Sequence, residues 1–207
     1  MKLLSHTLRE STRPSHDALE RTAGMRHLMG PGFSLGRYAL LLKLWCQHWG
    51  PLEQAVQTHR PPCVPLLYRP QNRVARLEAD LQVLAPWQPE QADAEPPPSF
   101  DACGARWYGL AYVLQGSMLG SSVIAAHLRH TEVGRLHAEQ GGGLGFFAFE
   151  EPADMPLALR WRQWLSWLDL SVTQADDQAL ATQAATEAFS AITHTLRAHE
   201  TNFERLG

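Results

Sequence analysis

The sequence predicts a single all-α domain of about seven or eight helices, and three observations predict it. Apolar residues recur at spacings of three and four along most of the 207 residues. Clusters of proline and glycine punctuate that pattern. No alternating apolar and polar run of strand length lies between hairpin turns, and no internal repeat is found.

The elements follow in order. The opening segment, Leu4 to Thr22, carries Leu4, Leu8, Ser15, Ala18, Leu19 and Thr22 as its less polar positions. Gly30-Pro31-Gly32 breaks the chain before a long amphipathic helix through Leu35, Tyr38, Leu42, Trp45, Trp49, Leu52 and Val56, which Pro61-Pro62 ends. Val74, Leu77, Leu81 and Leu84 repeat the spacing between about Gln71 and Ala85, stopped by Pro86. Residues 86–99, with Pro89 and Pro96-Pro97-Pro98, read as an irregular surface connection. Trp107, Leu110, Leu114, Met118, Ser121, Ala125 and Leu128 mark a further helix from about Ala102 to His130. A second connection, 141–156, runs from Gly141-Gly142-Gly143 to Pro152 and Pro156. Trp161, Trp164, Leu165 and Leu168 follow, and Leu180, Ala184, Ala188, Ile192 and Leu196 complete the pattern, so residues 1–207 form one domain.

Composition excludes several classes. Eighteen Lys and Arg stand against 21 Asp and Glu, a formal charge of −3, which gives no general electrostatic reason to expect nucleic acid or an anionic membrane as partner. No run of about 18 uncharged apolar residues is present, and Arg9 and Glu10 interrupt the N-terminus before a signal-peptide core could form. Three widely spaced cysteines, Cys46, Cys63 and Cys103, make no CxxC pair and fit a reducing cytoplasm. Nucleotide-binding and hydrolase signatures are missing, as is a zinc-protease HExxH.

Two local constellations carry chemistry. His16 and Glu20 are four apart, so on a helix the carboxylate lies one turn on along the same face and can orient the imidazole. A neutral His held this way suits an axial metal or heme ligand. Arg9, seven residues before His16, shares that face at roughly 10 Å, and Pro14 either opens or kinks the helix between them. The second constellation is Tyr112-Val113-Leu114-Gln115-Gly116-Ser117-Met118-Leu119-Gly120-Ser121-Ser122. Each glycine inside a helix costs about 1 kcal/mol relative to Ala. Gly116 and Gly120 fall on one face, flanked by Ser117 and Ser121, so either another helix or a planar cofactor can approach the backbone closely. His127 continues that stripe, but roughly 10 Å beyond Gly120, and reads as peripheral.

In this order and spacing the chain resembles the bacterial heme oxygenases often found beside bacteriophytochromes. The resemblance runs through Leu8 to Glu20, Tyr38 with Pro51-Leu52-Glu53, Arg76-Leu77-Glu78-Ala79-Asp80-Leu81, Tyr112 to Gly120, Val123 to Leu128, Phe146-Phe147 and the Trp161–Trp164 helix. It implies a helical fold that sandwiches heme b between a proximal and a distal helix. His16 is then the proximal iron ligand and Glu20 its partner. Gly116, Ser117, Gly120 and Ser121 lie on the distal helix, with Tyr112 also against the heme. Arg9 and either Arg160 or Arg162 hold the propionates. The implied reaction opens heme to biliverdin, carbon monoxide and ferrous iron with molecular oxygen and external electrons, from a ferredoxin, a flavodoxin or a reductase.

The sequence departs from the family pattern in the distal helix. Ser117 stands where many members carry Asp, a position at which the bacteriophytochrome-linked type also tends to have Ser, and Ser121-Ser122 follow Gly120 where Gly and often Arg are usual. The extra Cβ at Ser121 either crowds the heme or brings a hydroxyl to it. Three other readings compete: a heme-binding carrier on the same fold that does not turn over, a thiaminase-like helical hydrolase, and a purely structural reading in which the His16–Glu20 and Gly116–Gly120 pairs are unrelated packing features. The hydrolase needs a nucleophilic Cys beside carboxylates, which neither Cys46 nor Cys103 has at helical spacing.

Overall fold

A computed structural model describes residues 2–65, 68, 72–89, 96–148 and 155–206. Nine α-helices are formed among them: α1 Leu4–Glu20, α2 Ala23–Leu28, α3 Leu35–Thr58, α4 Arg73–Val83, α5 Arg106–Leu128, α6 Glu132–Gln140, α7 Leu157–Ser171, α8 Ala175–Ala198 and α9 Glu200–Arg205. No strand is present among the described residues. The count exceeds the expected seven or eight because α2, α6 and α9 are short. Each buries too few side chains to display a period: α6 buries only Val133 and Leu136, and α9 only Phe203. Parts of the two connections, 90–95 and 149–154, and Gln71 lie outside the described residues. The proline-rich connection is not wholly irregular, since Ala85–Trp87 forms one 3₁₀ turn around Pro86.

Local chemistry sets several boundaries. The Ser34 hydroxyl accepts the Arg37 N–H at the start of α3, and the Asn72 side chain accepts the Ala75 N–H at the start of α4. Gly141 ends α6 with φ of 72°, a left-handed conformation that glycine adopts without steric penalty. Asp176 and Asp177 open α8 and Arg197 closes it, each sign matched to the helix dipole. Pro14 neither opens nor ends α1: it lies inside the helix on its exposed side, where water can satisfy the carbonyl that its missing N–H leaves.

α8 organises the bundle by packing along both α1 and α5, while α3 packs on α4 and α5 on α7. α5 and α8 approach through Gly109, where a Cβ would land on the Ala181 carbonyl. This is the close helix–helix contact that the sequence left as one reading of Gly116 and Gly120, and a different glycine makes it. By length and composition α5 could cross a membrane, since it has no charged residue after Arg106, but half of the apolar stretch is buried within the bundle. Trp107 on α5 is buried and donates its indole N–H to the Val56 carbonyl at 2.8 Å, tying α5 to the end of α3. α8 thus holds α1 and α5 side by side with a space between them.

Candidate active site

That space is a cavity of about 510 Å³, within the usual range for ligand sites of roughly 300–1,000 Å³. α1 supplies one wall through Arg9, Thr12, Arg13, His16 and Leu19, a single face at helical spacing. α5 supplies the facing wall through Tyr112, Gly116, Ser117, Gly120, Ser121 and Ile124. Aromatic residues close the sides: Trp45 and Trp49 from α3, Phe146 and Phe147 from the turn after α6, Trp161 from α7 and Phe189 from α8.

On the α1 wall the His16 Nδ1 lies 3.6 Å from a Glu20 carboxylate oxygen. With Nδ1 turned to the carboxylate, Nε2 is the ring nitrogen left to ligate. The imidazole is half exposed, at 54%, and meets the Phe189 ring edge-on at 5.6 Å. Tyr112 reaches from α5 toward Thr12 and Arg9. Burial raises its phenol pKa, and those two neighbours oppose the rise.

The α5 wall divides the two glycines by task. A Cβ on Gly120 would meet no atom within 4 Å, so the backbone there faces open cavity. A Cβ on Gly116 would come within 3.2 Å of the Trp161 ring, so this glycine seats the indole that closes the side of the cavity. Met118 turns away to pack on Leu157 of α7. Ser121 is not part of the same core stripe; it faces the cavity.

Sequence reasoning missed the group that holds those serines. Arg73, the first residue of α4, is 3% exposed and lines the cavity. Its Nη1 donates to Ser117 Oγ at 2.8 Å and its Nη2 to Ser121 Oγ at 2.7 Å and to the Phe146 carbonyl at 3.2 Å. The guanidinium lies 4.9 Å from the Trp49 ring centre and 4.3 Å from that of Phe146. The Ser117 hydroxyl donates to the Leu114 carbonyl at 2.7 Å, which leaves its oxygen free to accept. Burial lowers the Arg73 pKa to about 10, with the Glu53 charge acting against that shift. The Ser121 Cβ does not obstruct the space; its hydroxyl is taken up by Arg73.

Of the sequence-predicted site residues, Arg9, His16, Tyr112, Gly116, Ser117, Gly120 and Ser121 meet at this cavity, and Glu20 backs His16. Arg160 and Arg162 do not line it. Arg160 is buried on α7 with its guanidinium 3.3 Å from Met118 Sδ, and Arg162 is exposed on the outer face beside Trp167 and Leu170. They follow Pro156 at positions that set Arg160 against α5 and Arg162 on the outer surface. The second cation on the α1 wall is Arg13, one turn from Arg9 on the same face. His127 lies outside the cavity, as its distance along α5 implied.

These residues fit a flat, largely apolar ring with an anionic edge: a ligating nitrogen on one wall, bare backbone on the other, and two arginines on α1. The buried Trp45 indole N–H in the side wall has no hydrogen-bond partner among the described residues.

Comparison with known proteins agrees. The family model described as Heme oxygenase matches residues 2–198. A heme oxygenase of Xanthomonas campestris pv. campestris (strain 8004) is 39% identical over 131 residues, covering 62% of this chain and 69% of that protein. The fold is similar to that of the NO- and CO-bound heme oxygenase of Neisseria meningitidis, with a TM-score of 0.71, 21% identity, and coverage of 97% of this chain and 94% of that one. It is also similar to heme oxygenase-1 of the cyanobacterium Synechocystis sp. PCC6803 in complex with heme, with a TM-score of 0.68, 17% identity, and coverage of 99% and 95%. A carrier that does not turn over is not favoured by these relatives. With a family match along nearly its whole length, the chain is a heme-degrading enzyme and belongs to the heme oxygenase family.

Proposed function

We propose that the chain binds heme between α1 and α5, with His16 Nε2 on the iron, and opens the ring to biliverdin, carbon monoxide and ferrous iron. The observation that carries this reading is the placement of the His16–Glu20 pair across one cavity from the bare backbone at Gly120. Bound heme supplies both the iron that activates oxygen and the ring carbon that is attacked.

The chain's own residues orient and hydrate. Glu20, 3.6 Å from Nδ1, orients the His16 ring so that Nε2 is the nitrogen that would hold the iron. Arg9 and Arg13 pair with the propionates and set the rotation of the ring in its plane. The backbone at Gly120 admits the heme face closely and leaves no room there for a bulky group. Ser117 and Ser121, fixed by Arg73, hold water whose proton reaches the distal face without an ionised carboxylate beside the iron. The electrons come from an external donor such as a ferredoxin or a reductase in the cytoplasm, and the biliverdin can serve a bacteriophytochrome.

The test is a hemin titration followed by ascorbate in air. One hemin per chain gives a saturating Soret band that fades to a biliverdin spectrum. No saturable band, or a band that ascorbate and oxygen leave intact, overturns the proposal.

A further inference from the structure

Two buried carboxylates lie in the family-like segments of the sequence yet line no part of the cavity: Glu53 on α3, 4% exposed, and Asp80 on α4, 2% exposed. Both are costly to bury as anions, and burial raises the pKa of each against the backbone N–H groups that oppose the rise. Their partners explain why they are there. Glu53 accepts the Arg73 N–H at 3.1 Å with one oxygen and the Val74 N–H at 3.3 Å with the other. It therefore holds the first turn of α4, and with it the root of the Arg73 side chain.

Asp80 lies two turns further along α4 and accepts from the other direction, taking the Gly145 N–H at 2.9 Å and the Phe146 N–H at 2.8 Å. The same short segment is tied by Tyr38, whose hydroxyl donates to the Gly143 carbonyl at 2.9 Å. Phe146 is the residue whose carbonyl accepts from Arg73 and whose ring lies under the guanidinium. Glu53 thus fixes where the arginine begins, and Asp80 fixes the surface against which it ends.

We infer that Glu53 and Asp80 are positioning residues that hold the Arg73 guanidinium against Ser117 and Ser121, and through those hydroxyls select which edge of the heme is attacked. The inference rests on the heme oxygenase reading of the cavity. Two acceptor oxygens are needed on each carboxylate, because both of its oxygens are used by backbone N–H donors. Gln or Asn supplies one oxygen and points an N–H₂ at the other donor, so an isosteric change is enough to loosen the brace.

The experiment compares Glu53→Gln, Asp80→Asn and Arg73→Gln with the double variant Glu53→Gln/Arg73→Gln. Cooperative thermal unfolding first shows that each is folded; should Glu53→Gln fail, Glu53→Asp keeps both oxygens and withdraws them by one carbon. In heme-free protein, the guanidinium protons of Arg73 exchange at least about tenfold faster in the Glu53 and Asp80 variants than in wild type, as expected for the loss of one charge-assisted bond. In the ferrous complex with carbon monoxide, the C–O stretch rises in Arg73→Gln, and Glu53→Gln and Asp80→Asn move it in the same direction. The ratio of biliverdin isomers shifts with it, while the hemin affinity of Glu53→Gln and Asp80→Asn stays within about threefold. Adding Glu53→Gln to Arg73→Gln produces no further shift, because the two act through one group. Folded single variants with wild-type guanidinium exchange, or additive shifts in the double variant, overturn the inference. Wild-type protein that takes no hemin overturns the functional reading instead, and the exchange measurement still decides whether the carboxylates hold Arg73.

Discussion

Arg73 Nη2 donates to Ser121 Oγ at 2.7 Å, joining the first residue of α4 to the cavity face of α5. The family pattern has Gly where this chain has Ser121, and this bond is what the extra side chain gains. Ser121→Ala therefore leaves a buried donor with one acceptor fewer, at a cost of about 1 kcal/mol. Its thermal midpoint falls modestly, and its biliverdin isomer ratio changes more than its rate of heme loss; chromatography of the product reads this.

His16→Ala removes the only imidazole nitrogen lining the α1 wall. Turnover is lost, and the Soret band shifts to that of a heme without a strong protein ligand. Added imidazole restores part of both, since the cavity that held the ring remains. An unchanged spectrum in the variant would sink the ligand assignment.

The glycines of α5 separate folding from binding. Gly109→Ala drives a Cβ onto the Ala181 carbonyl and costs about 3 kcal/mol, read as a lower unfolding midpoint. Gly120→Ala meets no atom and gains helix propensity, so the heme-free protein becomes more stable by up to about 1 kcal/mol. The same methyl stands on the heme face, and hemin affinity drops. Gly120→Leu, larger still, blocks that face and its oxygen reactivity.

A pH titration of the carbon monoxide complex reports Arg73 directly. Its pKa is lowered to about 10 chiefly by burial, with Glu53 stabilising the charge and Arg76 opposing it. Below about pH 10 the guanidinium is charged and the C–O stretch is constant. Above it the charge is lost and the stretch rises toward that of Arg73→Gln, which shows no such transition. Because the folded chain releases this proton before the unfolded chain does, the linked stability term rises as pH passes through that window.

The long helices were legible because apolar residues recur along them at spacings of three and four, from Leu35 to Val56 and from Trp107 to Leu128, even though Tyr38 to Leu42 are buried on every side. The His16–Glu20 pair and the glycines of α5 were legible for the same reason, since residues four apart meet on any helix. Arg73 was not, because Ser117 and Ser121 are 44 and 48 residues away and only the packed bundle brings them together. Arg160 and Arg162 were placed by order along the chain, and order does not fix helical phase. Gly109 carries no local mark at all; only the carbonyl of a helix some seventy residues later makes it obligatory.

α8 faces both walls of the cavity with small side chains, Ala184, Ala185 and Ala188 among them, and Ala188 itself looks into the space. It acts as a gauge block: the gap between α1 and α5 is fixed by a third element that carries none of the reacting groups. Slot width and wall chemistry can therefore change independently in this architecture. Exchanges among serine, glycine and acid on α5 alter how oxygen is handled at constant spacing, whereas a single methylene added to α8 would alter which macrocycles fit.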